Sequence, residues 1–260
     1  MCEQWVPLMS STDPSQLYDA TAAHWVRRSP KLLSDFSARP RVLDAMGELS
    51  GLRVLDLGCG EGYMARLLLD QGVSEVVGLD LSREMISAAI SSTTDERAIF
   101  AMCDLRQGLP PFKGTFDVVI AVFLFNYLTD AEVNVVMTQV ASTLRPGGRV
   151  VVTIPHPALP FLSRSNLSRE VFDFRPEHSY LNYENSFMHG HILDADGKQV
   201  EVLSISRTIE SFLNAVDLRL WSLDHCSELG LTSQHAPECF SPLIGEPLHM
   251  LFTFTLKNIV

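Results

Sequence analysis

Residues 54–63 read Val-Leu-Asp-Leu-Gly-Cys-Gly-Glu-Gly-Tyr, and a second apolar run over residues 76–79 ends in Asp80. An apolar run that ends in a glycine-rich turn and continues into a helical pattern is typical of the strand–turn–helix unit that binds nucleotides. The glycines permit a tight turn and a close approach of a ligand to the backbone. An acid at the end of the next strand can accept hydrogen bonds from both hydroxyls of a ribose. The two segments therefore predict a nucleotide-type cofactor site.

The spacing of the glycines argues against a dinucleotide. The dinucleotide fingerprint is G-x-G-x-x-G/A, in which the third small residue packs the helix against the strand. Here Gly58, Gly60 and Gly62 are spaced G-x-G-x-G. Tyr63 stands where the fingerprint has its third small residue. A dehydrogenase is therefore disfavoured, and the lack of a G-x-x-x-x-G-K-[ST] pattern excludes a P-loop.

Two carboxylates lie beside this turn. Asp56 precedes the first glycine by two residues, and Glu61 lies inside the loop. A helix N-terminus favours an anion such as pyrophosphate, because its amide N–H groups and its dipole carry partial positive charge. Two carboxylates at the same place would repel a pyrophosphate and would suit a ligand with an ammonium group and a sulfonium. This description fits S-adenosylmethionine.

With these motifs the chain resembles a known family, the class I S-adenosylmethionine-dependent methyltransferases, over roughly residues 15–155. The family's motifs follow in the family's order: the glycine-rich motif at 56–62, the ribose-binding acid at Asp80, the adenine-contacting acid at Asp104, the fourth strand at 116–120 and the turn into the fifth strand at 144–148. The resemblance implies S-adenosylmethionine as cofactor. It implies these cofactor contacts: Tyr18, Asp56, Gly58, Gly60, Gly62, Asp80, Leu81, Met85, Asp104, Leu105 and Phe123. For Met85 a core methionine is an equal interpretation.

Composition and charge limit the remaining classes. The chain has 260 residues, 46% of them hydrophobic, which suffices for a full core as one domain. Its net charge of −11, without a basic run, gives no support for nucleic-acid binding. The 5 cysteines show no C-x-x-C, so we expect a reduced compartment and no metal. Residues 1–16 lack a signal-peptide pattern, and the apolar run 118–125 is too short to span a bilayer. We therefore expect a cytoplasmic protein without a membrane partner.

Apolar strands alternate with helical patterns along the chain. This alternation predicts an α/β fold with a doubly wound, mostly parallel seven-stranded sheet, Rossmann-like, with helices on both faces. The predicted strands are 53–57, 75–79, 98–102, 116–122, 149–154, 218–223 and 250–256. The predicted helices are 61–70, 82–92, 130–144 and 208–216. The family resemblance implies that the last two strands form an antiparallel hairpin.

We expect one methyltransferase domain over residues 1–260. Its predicted parts are an N-terminal cap at 1–45, a cofactor-binding half at 46–154, an insert on the substrate side after strand five at 155–205, and a C-terminal helix and hairpin at 206–260. The helical spacing from Tyr18 to Val26 fits either a lid over the cofactor or a helix that covers the sheet edge. The aromatic and histidine residues of the insert fit either a pocket for a flat small molecule or a small core of the insert itself.

His156 is the predicted general base. It directly follows strand five between two prolines, and histidine titrates near neutral pH. A loop histidine engaged in hydrogen bonds is the alternative. Tyr180 and His189 are the reserve candidates for catalysis. The predicted substrate contacts are Asn126, Tyr127, His156, Tyr180 and Tyr183.

The predicted function is transfer of a methyl group from S-adenosylmethionine to a small molecule, a flat or aromatic compound of secondary metabolism. Within the family, the chain most resembles bacterial-type enzymes that methylate quinones, toxoflavin-like heterocycles and other secondary metabolites. Two alternatives stay open: a non-methylating reaction that uses the same cofactor, and a non-catalytic regulator that binds it. The sequence leaves open the methylated atom and the oligomeric state.

Overall fold

The elements of the fold alternate much as the sequence predicts. The structure, a computed structural model, describes residues 14–183, 185–232 and 236–257. The strands in these ranges are β1 (Arg53–Leu57), β2 (Glu75–Asp80), β3 (Ala98–Met102), β4 (Phe116–Val122), β5 (Leu144–Pro155), β6 (Phe172–Arg175), β7 (Phe187–Leu193), β8 (Gln199–Ile205), β9 (Trp221–Leu229) and β10 (His249–Leu256). The helices are α1 (Pro14–Trp25), α2 (Leu33–Ser37), α3 (Arg39–Met46), α4 (Tyr63–Asp70), α5 (Arg83–Ser92), α6 (Asp130–Ala141), α7 (Asn166–Val171) and α8 (Ile209–Ala215). Residues 1–13 of the predicted cap, 184 of the insert, and 233–235 and 258–260 of the C-terminal part lie outside the described residues.

The main sheet has the order β3-β2-β1-β4-β5-β10-β9 within the described ranges. Its first five strands run parallel, and β10 is antiparallel to both of its neighbours. The expected doubly wound, mostly parallel seven-stranded fold is therefore confirmed. The strand order reverses between β1 and β4, and open α/β sheets bind ligands at the carboxyl ends of the strands beside such a reversal.

Both faces of the sheet are covered by apolar side chains. On one face, Leu55 and Leu57 of β1 belong to a core with residues of α6 and α8, among them Phe212. On the other face, Val54 and Leu68 belong to a core that also includes residues of α3. Strands buried on both faces read as continuous apolar runs, which explains why the parallel strands were recognisable in the sequence.

The C-terminal strands differ from the prediction at one end. The predicted strand 218–223 is wrong in its bounds, because β9 starts at Trp221 and continues to Leu229. Asp217 accounts for the late start, since its carbonyl accepts hydrogen bonds from the amides of Leu220 and Trp221 in a turn. The second half of β9 is an exposed edge strand with polar residues, so it lacks the apolar run that identifies a strand.

The insert contains a sheet that the sequence did not predict. In the described part of residues 155–205, β6, β7 and β8 form a three-stranded antiparallel sheet. The carboxylate of Asp194 accepts hydrogen bonds from the amides of Asp196 and Lys198, both at 2.9 Å, and this closes the turn between β7 and β8. No helix in the described ranges is both long and apolar enough to cross a membrane.

Candidate active site

A large open cavity lies at the carboxyl ends of β1, β2 and β4. Its empty space, including solvent at its mouth, is about 1510 Å³. A neighbouring cavity has about 300 Å³ on the same measure. The large cavity is lined by α1, by the β1–α4 turn, by the ends of β2 and β4 and by the insert sheet. It therefore joins the predicted cofactor side and the predicted substrate side in one space.

The glycine-rich turn forms one wall of this cavity. Gly58 and Gly60 line it, with φ of 70° and 55° that favour glycine. A Cβ on Gly60 would meet nothing within 4 Å, so the backbone there faces open space. Gly62 does not line the cavity. It caps α4 with φ of 80°, and a Cβ there would approach Phe100 and Ala89 to 3.1 and 3.3 Å. Its cofactor contact stays a prediction, and its visible role is close packing.

Asp80 ties the turn to the end of β2. One carboxylate oxygen accepts a hydrogen bond from the Gly60 amide at 2.8 Å, and the other accepts one from the Ser82 amide at 2.9 Å. Burial raises the pKa of this carboxyl group, against the effect of these backbone hydrogen bonds. Each carboxylate oxygen can accept more than one hydrogen bond. Asp80 lines the cavity and is thus a rigid acceptor with capacity left for a ligand.

Asp56 carries a buried oxygen without a partner. The residue is 1% exposed, it lines the cavity, and its Oδ2 accepts no hydrogen bond from the described residues. Burial raises the pKa of Asp56 to about 7, and the nearby Arg39 guanidinium partly opposes this rise. Buried polar atoms are normally hydrogen-bonded, so the orphaned oxygen is a place for a ligand donor. The ammonium group of S-adenosylmethionine fits this requirement.

Glu61 is already neutralised by arginines. Its carboxylate pairs with Arg27 at 3.1 Å and with Arg66 at close range. The guanidinium of Arg27 also lies 4.0 Å from the ring centre of Tyr63. Both carboxylates line the cavity, but among the described residues only Glu61 is paired with arginines; that the two carboxylates suit a cationic ligand stays a prediction. Sequence reasoning missed this pairing, because Arg27 is 34 residues away along the chain.

A second buried ion-pair group adjoins the cavity. Arg27 holds Asp35 through two hydrogen bonds of 2.8 and 2.9 Å, and Arg39 contacts the same carboxylate at 3.0 Å. Burial lowers the pKa of Arg39 to about 10, so its guanidinium remains charged at neutral pH. Arg39 lines the cavity. Asp35 is thus shared by Arg39 and by Arg27, which also pairs with Glu61.

The residues expected around the adenine also line the cavity. These are Leu81, Met85, Asp104 and Leu105. Asp104 pairs with Arg106 at 2.8 Å, which lowers the pKa of the Asp104 carboxyl group. Met85 is 3% exposed and belongs to α5, so it combines the two interpretations given for it, core methionine and cavity wall.

Helix α1 covers part of the cavity. Tyr18 and Trp25 of this helix line it, and so do Asn126 and Tyr127 just beyond β4. The hydroxyl groups of Tyr18 and Tyr127 are hydrogen-bonded to each other. Helix α1 packs on α5, where the carboxylate of Asp19 accepts a hydrogen bond from the Ser82 hydroxyl at 2.5 Å. The position of α1 favours the lid interpretation.

Aromatic and aliphatic side chains line the insert side of the cavity. They come from β6, β7, β8 and the end of β4: Phe172, Phe174, Ile192, Val202 and Phe123. Phe172 and Phe174 also belong to the hydrophobic core of the insert, so both interpretations of the insert aromatics apply. Phe123 has φ of 59°, a strained value for a bulky residue, and such strain is concentrated at functional sites.

The three predicted catalytic residues do not line the large cavity. Nε2 of His156 pairs with Glu228 at 3.0 Å, and Nδ1 accepts a hydrogen bond from the Ala158 amide at 3.2 Å. His156 lines the smaller cavity. The remaining predicted residues of the insert, Tyr180, Tyr183 and His189, also stand outside the large cavity's lining. The Tyr180 hydroxyl accepts a hydrogen bond from the Ile209 amide at 3.1 Å, and His189 is exposed on β7. The roles of all four stay predictions.

His249 is a further polar residue of the cavity that sequence reasoning missed. It is 4% exposed and lines the large cavity beside Phe123. A signal existed in the sequence: the residue opens the last strand, and the start of an antiparallel strand lies at the same sheet edge as the carboxyl ends of its parallel neighbours.

Comparison with known proteins identifies the family. Residues 54–148 match a family described as a methyltransferase domain. The chain is 30% identical over 178 residues to an ubiquinone biosynthesis O-methyltransferase of Rhizobium johnstonii, and the match covers 65% of this chain and 67% of that protein. The chain belongs to the class I S-adenosylmethionine-dependent methyltransferases. S-adenosylmethionine is the cofactor of this enzyme family, as the resemblance implied.

Two further relatives show how much of the chain the similarity covers. A demethylmenaquinone methyltransferase of Lactococcus lactis is 37% identical over 136 residues, which cover 49% of this chain and 52% of that protein. The chain thus matches about half the length of that relative. A solved S-adenosylmethionine-dependent methyltransferase from Mesorhizobium loti has a TM-score of 0.60 and 22% identity, with 83% of this chain and 96% of that chain covered. That likeness shows the fold.

Proposed function

We propose that the protein transfers a methyl group from S-adenosylmethionine to a small molecule with a flat, largely apolar body. One observation carries this proposal: the strand-end carboxylates and the apolar side chains of the insert line the same cavity. A donor site and an acceptor site that share one space allow the two reactants to be held together. Holding two reactants in line is the main contribution that a protein makes to such a displacement.

The side of the cavity that binds the methyl donor is formed by hydrogen-bond acceptors of the protein. Asp80 accepts hydrogen bonds from the ribose hydroxyls, and the bare backbone at Gly60 lets the cofactor approach. The orphaned oxygen of Asp56 pairs with the ammonium group, which removes the cost of a buried unsatisfied carboxylate. Asp104 and Leu105 border the adenine. When bound, S-adenosylmethionine supplies an electrophilic methyl group on its sulfonium.

The acceptor side is formed by the insert sheet. Phe172 and Phe174 of β6 contribute rings, and Ile192 and Val202 contribute branched side chains to the same wall. Such a wall favours a planar apolar body, because apolar pockets with a few polar groups bind by surface burial and orient by hydrogen bonds. The names of the two curated relatives, from demethylmenaquinone methylation and ubiquinone biosynthesis, support an acceptor that carries a ring.

Helix α1 separates the reactants from water. The hydrogen bond between Tyr18 and Tyr127 joins this helix to the end of β4 across residues that line the cavity. Closure over a bound cofactor excludes solvent and strengthens the electrostatic contacts within. We therefore assign α1 the function of a lid.

The proposal is tested in two steps. Calorimetric titration with S-adenosylmethionine and S-adenosylhomocysteine measures donor binding, with Gly60→Val as the variant expected not to bind. The protein is then incubated with S-adenosylmethionine that carries a trideuterated methyl group and with a metabolite extract. Mass spectrometry should detect products heavier by that methyl group.

The same experiment separates the alternatives. Consumption of S-adenosylmethionine without the appearance of methyl-labelled products would indicate a non-methylating reaction. Tight binding without consumption across extracts would indicate a regulator that only binds the cofactor. If the wild-type protein does not bind S-adenosylmethionine at all, the proposed function is overturned as a whole.

A further inference from the structure

His249 lies between aromatic rings at the inner part of the cavity. Its ring centre is 4.8 Å from that of Phe123 and 6.0 Å from that of Phe172. It opens β10 and is paired in the sheet with Pro155 and Leu229. Both backbone and ring are therefore held, so the imidazole has a fixed orientation toward the space it lines.

Ser37 is the hydrogen-bond partner of Nδ1 of this ring. Its hydroxyl lies 2.9 Å from the carbonyl oxygen of Leu33 and 3.1 Å from Nδ1 of His249, and it has one hydrogen for these two acceptors. When that hydrogen goes to Leu33, the Ser37 oxygen can only accept from Nδ1, so Nδ1 carries the hydrogen of the ring and Nε2 carries a lone pair. The inference requires this tautomer.

Nε2 of His249 is free to bind a ligand. None of the described residues forms a hydrogen bond with it, and the residue lines the cavity. Burial, together with the smaller effects of Arg39 and His156, lowers the pKa of His249 to about 3. The imidazole is therefore neutral at physiological pH and retains its acceptor.

We propose that Nε2 of His249 accepts a hydrogen bond from a hydroxyl group of the methyl acceptor, which is a phenol or an enol. This inference rests on the proposed function, because it concerns the acceptor in the same cavity. A lone pair on a neutral ring selects a group that carries a hydrogen, so a carbonyl or a carboxylate is disfavoured. The charge of Arg39, which opposes a proton on His249, also disfavours a protonated amine beside this ring. A hydroxyl that donates its hydrogen keeps its oxygen lone pairs available for the methyl group.

The tautomer is tested by nitrogen NMR of protein labelled with ¹⁵N-histidine. His249→Phe assigns the resonances, and the wild-type signal should report hydrogen on Nδ1 and none on Nε2. Ser37→Ala removes the partner of Nδ1 and should move hydrogen toward Nε2. A wild-type His249 protonated on Nε2 would overturn the inference. This measurement needs no cofactor, so it stays decisive if the proposed function fails.

The ligand class is tested with a matched pair of probes, 2-naphthol and 2-methoxynaphthalene. They share a planar ring, and only the first can donate a hydrogen bond. In wild-type protein saturated with S-adenosylhomocysteine, naphthol should bind about fivefold to tenfold more tightly, the value of one hydrogen bond. If the protein does not bind S-adenosylhomocysteine, the pair is titrated against the free protein.

Variants of the protein test whether the preference for naphthol depends on His249. The preference should fall to within about twofold in His249→Phe, which keeps an aromatic ring, and it should also fall in Ser37→Ala. The control His225→Gln changes an exposed histidine of β9 and should keep the wild-type ratio. Equal affinity of the wild-type protein for the two probes, no binding of naphthol, or an unchanged ratio in Ser37→Ala would each overturn the inference.

Discussion

The hydroxyl groups of Tyr18 and Tyr127 are hydrogen-bonded although the residues lie 109 positions apart. Their rings meet edge to face, with centres 5.5 Å apart and planes at 86°. Tyr18 belongs to α1, and Tyr127 follows β4 beside the cavity. The pair therefore joins helix α1 to the main sheet. Substitution of either residue tests whether this contact controls opening of the cavity.

Tyr18→Phe should accelerate ligand release. The substitution keeps the ring and removes one hydrogen bond, worth about 0.5–1.5 kcal/mol, so dissociation of S-adenosylhomocysteine should become about 2–10 times faster. Stopped-flow displacement measures this rate. Tyr127→Phe should have a similar effect, and the double variant should be no faster than either single one. Strictly additive effects of the two substitutions on the dissociation rate would mean that the two hydroxyl groups do not act as one contact.

Asp80→Ala should weaken donor binding by about 2–4 kcal/mol, because two charge-assisted hydrogen bonds to the ribose are lost. Asp80→Asn keeps the shape of the side chain and should cost less. Calorimetric titration with S-adenosylhomocysteine measures the affinity, and Asp70→Asn, on the exposed end of α4, is the control. Wild-type affinity in Asp80→Ala would reject the ribose role.

Gly60→Val should remain folded and should lose donor binding more than tenfold, because its side chain enters the space that the cofactor needs. Its matched control is Gly147→Val. Both glycines have positive φ, 55° and 70°, and a Cβ at either would meet nothing within 4 Å. Each variant should lose about 1–2 kcal/mol of unfolding free energy from backbone strain. Thermal denaturation and titration together check this; normal binding by Gly60→Val would mean that the turn does not cradle the ligand.

Asp56 should make donor binding depend on pH. Burial raises its pKa to about 7, and only the charged carboxylate pairs with an ammonium group. Affinity for S-adenosylhomocysteine should therefore rise with pH from about 5.5 and reach a maximum between about 7 and 8, because half of Asp56 is charged at about pH 7 and the ligand's α-amino group, with a pKa of about 7.7–8.0, loses its charge above this range. Asp56→Asn should bind more weakly and without this slope. A wild-type affinity that does not change over this range would contradict the assignment.

The free protein should show the opposite trend in stability. The folded pKa of Asp56 lies above its unfolded value, so the folded state binds more protons between about pH 4 and pH 7. The contribution of Asp56 to the unfolding free energy is therefore fully present below about pH 4 and is lost as pH rises through about 7. Denaturant titrations of the wild type and Asp56→Asn at several pH values isolate this contribution.

The cofactor half of the site was readable because its signals are local. Asp56 lies in β1, Gly60 follows that strand and Asp80 ends β2, and parallel strands buried on both faces leave apolar runs in the sequence. The β1–β2 pairing then brings the two acids to one edge without further information. The spacing of the glycines, together with Tyr63 and the two acids at the turn, disfavoured a dinucleotide.

The polar contacts on the proposed acceptor side were harder to predict, because they join residues that are distant in sequence, although the predicted Asn126 and Tyr127 do line the cavity. Nδ1 of His249 is hydrogen-bonded to Ser37, 212 residues away. His156 carried the stronger sequence signal, yet Glu228, 72 residues away, and the Ala158 amide engage both of its ring nitrogens. Strand β6 is four residues long and mixes rings with charges, so its pattern was too short to identify.

The insert sheet has a consequence for how such a protein diversifies. The apolar side chains that the insert sheet adds to the cavity come from one segment of the chain, β6 to β8, whereas Asp80 lies on the main sheet. Under the proposed function, a change confined to that segment alters part of the acceptor wall and leaves the strands that carry the carboxylates unchanged. Acceptor specificity can then change in evolution without loss of the donor site.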